Sequence, residues 1–327
     1  VYGFFDRSYS LLFGHVIFFD VKPVTLDSLG YINLGMSGQV EAFQELQSLQ
    51  NRLGAKSRCY NQAQLQEKWP FLYVDDLAIG CHNAVGEGWF DGDYIMKTQA
   101  RIARKMGVKM LVQEAVGFNH EKGKINTVLL ADGAKIACGQ VVNAAGPHAR
   151  SIAKWAGIAL DVEPRKRSTF VFAAQNPPEV KVPLIINTDG VYVVNDGPYF
   201  RTACTPDPDP AVAHDDFSVN YAEFEEQIWP SLAQRIPAFE AIKLQHAWAG
   251  HYAMHVWDHN AIIGYHRACD NLIFMNGFSG HGLQQSPAFG RGVSELICYG
   301  EFRSLDMRPL SFARITDTNP VREQYVI

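Results

Sequence analysis

Three glycines, a serine and a histidine fall within "GFSGHG", Gly277–Gly282, and the chain then continues as "LQQSPAFGRGVSELI", a good helix former. Glycine tolerates positive φ and lets a ligand approach the backbone with no Cβ in the way. A helix starting just past such a turn aims unpaired N–H groups and the positive end of its dipole at one spot. The run ahead of it, "NLIFM", is of strand type. Strand, glycine turn and helix make a cradle for an anion or a cofactor, or else a tight turn that holds nothing. A second stretch, "QVVNAAG", is an apolar strand closing on the small residues Ala144, Ala145 and Gly146.

Histidines offer another chemistry. His251, His255 and His259 recur at spacing four, with His246 and His266 close by. On a helix that spacing would align three imidazoles as metal ligands. "GHYAMHVWDHNAIIG", however, carries tryptophan, β-branched residues and Asn260, and reads as loop plus strand. Spacing four along a strand leaves side chains roughly 13 Å apart, too far to share a metal. No metal site is expected.

Composition bounds the class. The chain has 327 residues, enough for two domains or one large one, with 47% hydrophobic and 19% charged residues, as in a well-buried globular protein. A net charge of −5 and no long basic run argue against a nucleic-acid binder. The six cysteines are scattered without a CxxC, which suits a reducing compartment and speaks against a disulfide framework or a zinc ribbon. "LLFGHVIFF" is too short to span a bilayer. No targeting peptide is visible in a chain that starts at Val1, so its true N-terminus is expected to lie further upstream.

The elements that would position these residues alternate in type. "GQVEAFQELQSLQNRLGAK" puts Val40, Phe43, Leu46 and Leu53 on one helical face and stops at Gly54. "DGDYIMKTQARIARKMG" predicts a helix capped by Asp91 or Asp93, with Ile95, Ile102 and Met106 as its stripe. "VKMLVQEAVGF" and "INTVLLADGAKIAC" read as strands, the latter turning at Asp132-Gly133. "RSTFVFAAQ", "PLIINTDGVYVV" and "PYFRTAC" predict a mixed sheet, interrupted by the loop "TPDPDPAVAHDD". "NYAEFEEQIWPSLAQRI" returns to helix, with a kink expected at Pro230. The class is α/β, mixed α+β, with one module interrupting another.

"GEGWFD", "VVNAAGPHA", "WAGHY…DHNAIIG" and "GFSGHGLQQSP", in that order, resemble the D-amino-acid oxidase and sarcosine oxidase family of FAD enzymes. Likeness to a mitochondrial member of that family adds "VEPRKR" and "FRSLDMRPLSFARI". The resemblance covers nearly the whole chain. It implies a Rossmann-like FAD module from 77–160 and 258–327, and a mixed-sheet substrate module from 1–76 and 161–257. No GxGxxG occurs in the chain, and the family segment carrying that turn is expected ahead of Val1. By resemblance Ala145, Gly146, Gly277, Ser279, Gly280, His281, Gly282 and Leu283 bind FAD, the glycines making room for its isoalloxazine ring. The implied reaction takes hydride from the carbon beside an amine or amino-acid nitrogen. Where family members carry an arginine for the substrate carboxylate this chain has Val194, leaving Arg165, Arg167 and Arg201 as replacements. His251, Tyr252 and Arg167 are the candidate catalytic residues. Likeness to a mitochondrial member that helps assemble respiratory complex I implies a mitochondrial location and complex I assembly intermediates as partners. It also implies an alternative, a non-catalytic scaffold keeping the flavoprotein fold.

Overall fold

The computed structural model describes residues 26–321, so "LLFGHVIFF" lies outside the described residues. The chain first lays down β1 (Tyr31–Gly35), helix α1 (Val40–Arg52), β2 (Arg58–Asn61), helix α2 (Gln62–Lys68) and β3 (Ile79–Asn83). Helix α3 (Gly92–Lys105) leads to β4 (Ala115–Glu121), β5 (Lys124–Leu130), β6 (Lys135–Ala137), β7 (Val141–Asn143) and α4 (Ala149–Trp155). Then come β8 (Val162–Ala174), β9 (Leu184–Ile186), β10 (Tyr192–Asp196), β11 (Tyr199–Ala203) and α5 (Trp229–Arg235). The last third holds β12 (Ile242–His255), β13 (Ile262–His266), β14 (Cys269–Asn276), α6 (Gly282–Tyr299) and the short α7 (Ala313–Thr316).

Eight strands form one mixed sheet in the order β12-β8-β11-β10-β9-β1-β3-β2, beside two small sheets, β13-β14-β7 and β4-β5-β6. The small sheet β13-β14-β7 takes strands from both sides, in sequence, of the long pair β8 and β12. The sheet β13-β14-β7 is thus assembled from two stretches of chain separated by the strands β8 to β12. Among the described residues no helix is long and apolar enough to cross a membrane.

Register decides which side chains face the core. Ile32, Ile185, Val193, Phe200, Phe170 and Phe172 share one side of the large sheet. They are buried against Leu65 of α2, Leu232 of α5 and the flanking Ile228, Ile236 and Phe239. Alternation sends Tyr31, Tyr192, Arg201, Arg167 and Tyr252 to the opposite side.

Local chemistry accounts for most boundaries. The Asp91 carboxylate accepts from the Tyr94 N–H at 2.9 Å and caps α3. Helix α1 buries Phe43 and ends before Gly54 at φ 98°, whereas Leu53 and, beyond α3, Met106 lie past the last turns and are exposed rather than part of the buried stripes. At Pro230 the expected kink takes the form of a change in winding. Phe224–Ile228 are π-helical and run directly into α5, whose second residue is Pro230; lacking an N–H, it cannot continue the ladder, and the winding changes just ahead of it.

Two expectations are corrected. "VKMLVQEAVGF" becomes strand only from Ala115, because β5 pairs with β4 from that residue onward. Among the described residues no strand reaches Val108–Glu114, and Val112 is fully exposed. The cysteines are not all free. Cys59 and Cys81 stand directly opposite on β2 and β3 and form a disulfide. Their separation of 22 residues has no meaning until the strand register is known.

Candidate active site

Strands β7 and β14 run parallel as neighbours, with Phe274 level with Asn143. Each ends in an asparagine, and Asn276 Nδ2 donates to Asn143 Oδ1 at 3.3 Å. Asn143 also accepts from the Ala145 N–H at 3.2 Å and donates to the Ala149 carbonyl at 3.0 Å, which shapes the turn into α4. Beyond the asparagines both strands pass through a glycine turn into a helix. In open α/β sheets ligands lie in the crevice outside the carboxyl ends of the strands. Ala145, Gly146, Gly277, Ser279, Gly280, His281, Gly282 and Leu283 are thus brought to one edge by two adjacent turns.

The open side of that edge is visible in Gly146, at φ 54°, where an added Cβ would meet no atom within 4 Å. Helix α6 begins there with 18 residues and no side-chain cap at its N-terminus, so the first-turn N–H groups face the crevice. Pro287 inside α6 supplies no N–H for the Leu283 carbonyl, and the Ser286 hydroxyl donates to it instead at 2.9 Å.

The turn is latched to β12. Ser279, fully buried at φ 49°, donates its N–H to the Ala253 carbonyl at 3.1 Å. Its hydroxyl accepts from the His255 N–H at 3.0 Å and donates to the Gly277 carbonyl at 3.2 Å. A Cβ on Gly277 would lie 2.9 Å from the His255 Cβ, and one on Gly280 would lie 2.5 Å from the Tyr252 ring. These two glycines therefore give room to protein side chains, in addition to any ligand, and the turn touches the aromatic face of the large sheet through Tyr252.

That face holds the remaining candidates. Arg165 pairs with Glu163 at 2.9 Å. Arg167 is buried, grips Asp209 through two bonds of 2.8 and 3.0 Å, and stacks 4.9 Å over the Tyr252 ring. Arg201, half-buried, has no ion pair or hydrogen bond among the described residues; its guanidinium lies 5.7 Å from the centre of the Trp89 ring. Arg201 stands directly across from Val194 on β10. His251 points to the other side of the sheet, 2.7 Å from the Asp216 carbonyl and stacked on Phe217. Tyr252 and Arg167 therefore share the site face, and His251 does not.

His255 is buried with Nδ1 at 2.7 Å from Asp258, which is held in turn by Arg314 of α7 at 2.8 Å. His259 stands in a turn at φ 57°. Among the described residues no group of three or more His, Cys, Asp or Glu side chains is arranged to hold a metal ion.

Burial pushes the Tyr31 and Tyr192 hydroxyls up to about 12 and raises Tyr252 as well, with Arg201 pulling the first two back and Arg167 the third. All three remain hydrogen-bond donors at neutral pH. Burial also lifts the Glu87 carboxyl to about 7, opposed by the Tyr31 N–H that it accepts at 3.3 Å. Sequence reasoning passed over Tyr31, Tyr192 and Glu87. Glu87 lies inside the quoted "GEGWFD", but the two tyrosines join the site only through register.

A crevice at the ends of parallel strands lies beside an aromatic sheet face whose Arg201 has no ion pair among the described residues, an arrangement that suits a bound cofactor. The model of the FAD dependent oxidoreductase (DAO) family matches residues 20–296, and the chain belongs to that family. It is 31% identical to FAD-dependent oxidoreductase domain-containing protein 1 of Xenopus laevis, spanning 94% of this chain and 68% of that relative. It is also 31% identical to the Bos taurus protein of the same name, over 91% and 68%. Among solved structures, L-proline dehydrogenase from P. horikoshii shares the fold with a TM-score of 0.84 at 24% identity, over 97% of this chain and 84% of that one. Glycine oxidase from Geobacillus kaustophilus does so at 0.79 and 19%, over 94% and 81%. The cofactor is FAD, and the residues at the strand ends fit it: small where the chain passes the crevice, open at Gly146, and positive at the start of α6.

Proposed function

We propose that this protein oxidises the carbon–nitrogen bond of a small amine carboxylate or amino acid. The observation that carries the reading is Arg201. It is a half-buried cation without an anionic partner among the described residues, on the same sheet face as Tyr31, Tyr192 and Tyr252. A guanidinium flanked by phenol donors suits a carboxylate. Tyr252 touches both the glycine turn and Arg167, so the anchored substrate would lie beside the crevice. FAD supplies the two-electron acceptor for the hydride leaving the α-carbon. The chain's part is to hold the carboxylate, keep the phenols protonated as donors, and orient the carbon toward the strand ends. Arg167, held by Asp209, positions the Tyr252 ring. The names of two proteins with the same fold, L-proline dehydrogenase and glycine oxidase, support this substrate class. Anaerobic mixing of the full-length flavin-loaded protein with a panel of amines and amino acids tests it. Bleaching of the flavin by at least one is expected, and a spectrum unmoved by all of them overturns the reading.

A second reading is a role in assembling mitochondrial complex I, with or without turnover. It is supported by the sequence likeness to a mitochondrial member with that role. Recovery of complex I intermediates with the tagged protein from mitochondria is the expected result, and their absence removes it.

A further inference from the structure

Strands β1 and β11 are separated in the sheet by β9 and β10, so they lie roughly 14 Å apart. Yet Arg201 of β11 reaches Trp89, which bridges to Asp27 just ahead of β1. The loop between β3 and α3 therefore brings Trp89 to the Arg201 side of that face. Its position is fixed. Asp27 and Trp89 exchange backbone bonds of 2.9 and 3.3 Å, and a Cβ on Gly88 would overlap the Asp27 carbonyl oxygen at 2.0 Å. Glu87 and Trp89 flank that glycine on either side. Glu87 accepts from the Tyr31 N–H, and the Tyr31 phenol feels Glu87, Arg201 and Tyr252 together. Glu87 forms no ion pair with Arg201 or with any other cation among the described residues. The same face of the sheet thus carries a cation and a carboxyl that have no ion pair with each other or with another charge among the described residues.

We propose that Glu87 is the specificity residue for the substrate's amino nitrogen, so that an α-amino acid is bound as a zwitterion, carboxylate on Arg201 and ammonium on Glu87. The inference rests on the amine-carboxylate reading above and names the second half of its recognition. A buried carboxylate alone is costly, and an arriving ammonium restores the partner it lacks. Burial already holds the Glu87 carboxyl near neutrality, which fits a group left without a counter-ion.

Matched probes separate the two charges in the full-length flavin-loaded protein. Glycine, N-methylglycine and L-proline are compared with glycolate, methoxyacetate and L-tetrahydro-2-furoate, which replace the nitrogen by oxygen and keep the carboxylate. Affinity is read by calorimetry and by displacement of the flavin absorption bands. Wild type is expected to prefer at least one amino acid over its oxygen counterpart by about tenfold or more, the scale of one charge-assisted bond. Glu87→Gln, nearly the same in shape, should erase that preference while leaving the oxygen probes bound as before or more tightly. Glu87→Asp should retain part of it, which guards against a folding artefact in the amide. Arg201→Gln should weaken both members of each pair alike. A preference that survives Glu87→Gln, or equal weakening of both members by it, overturns the role of Glu87 and leaves the carboxylate anchor standing. If wild type binds no probe of either kind, the anchor reading falls and this inference falls with it.

Discussion

At the scale of single residues, what separates the three site arginines is their partners. Arg165 and Arg167 are committed to Glu163 and Asp209; removing Arg167 would strand Asp209, whereas Glu163 would keep Arg150 at 3.1 Å. Arg201 strands nothing among the described residues. Arg201→Gln should therefore change the melting temperature little while weakening carboxylate-bearing ligands by roughly 10- to 100-fold, as loss of about 1.5–3 kcal/mol of charge-assisted bonding predicts. Calorimetric affinity and a thermal melt check both halves, and a large loss of stability would mean that Arg201 is structural. Glu87 makes the complementary prediction in pH. Its carboxyl ionises near 4.5 when unfolded and near 7 when folded, so in between the native state holds a proton that the unfolded state has lost. Its contribution to stability is full below 4.5 and falls as pH rises to 7. Wild type should lose melting temperature relative to Glu87→Gln between about pH 5 and about pH 8. Parallel curves for the two proteins would show that the carboxyl is well solvated.

At the scale of elements, the glycine turn and β12 act as one piece, because Ser279, Gly277 and Gly280 each meet that strand. Gly280→Ala would place a methyl against the Tyr252 ring at φ 91°. A cost of about 1–3 kcal/mol is expected, with weaker FAD retention because the turn and the ring must part. Denaturant melts and flavin content measured together check it, and normal values for both would show that the turn is free of β12. Behind it, Asp258 is fully enclosed between His255 and Arg314 and also accepts from the Asn260 and Val321 N–H groups. Against the opposing effect of burial, His255, Arg314 and the Val321 N–H hold its carboxyl well below the usual range. Asp258→Asn should cost roughly 3–5 kcal/mol, since it leaves Arg314 buried without its anion. A urea midpoint close to wild type would contradict this. Much of this scale was legible in the sequence: the capped helix at Asp91, the turn at Gly133 and the strand–turn–helix at Gly277–Gly282 follow from local chemistry. What was not legible needed register. Arg201 stood only as an unplaced replacement until its strand was set between β10 and β8. Tyr31 and Tyr192 come from strands more than 150 residues apart in the chain. The disulfide between Cys59 and Cys81 became visible only when β2 met β3.

At the scale of the molecule, the interleaving of modules sets how FAD can be held. The long strands β8 and β12 carry the aromatic face up to the edge where β7 and β14 end, so the candidate cofactor and substrate residues meet at a seam between two sheets. A covalent thioether would require a thiol at that seam, and all six cysteines can be placed elsewhere. Cys59 and Cys81 are joined to each other at the far edge of the large sheet. Cys269 opens β14, roughly 23 Å of strand from Asn276. Cys298 lies near the far end of α6, about 24 Å from its first turn. Cys138 precedes β7 on the side away from its carboxyl end and lies against the Ile125 carbonyl at 3.9 Å. Cys204 is buried in the core of the large sheet, and burial pushes its thiol up to about 12, far from the thiolate that such chemistry uses. FAD is therefore expected to be bound without a cysteine link. Acid precipitation of the full-length flavin-loaded protein should release the yellow colour into the supernatant. Flavin carried down with the denatured chain would show a covalent link and overturn this expectation.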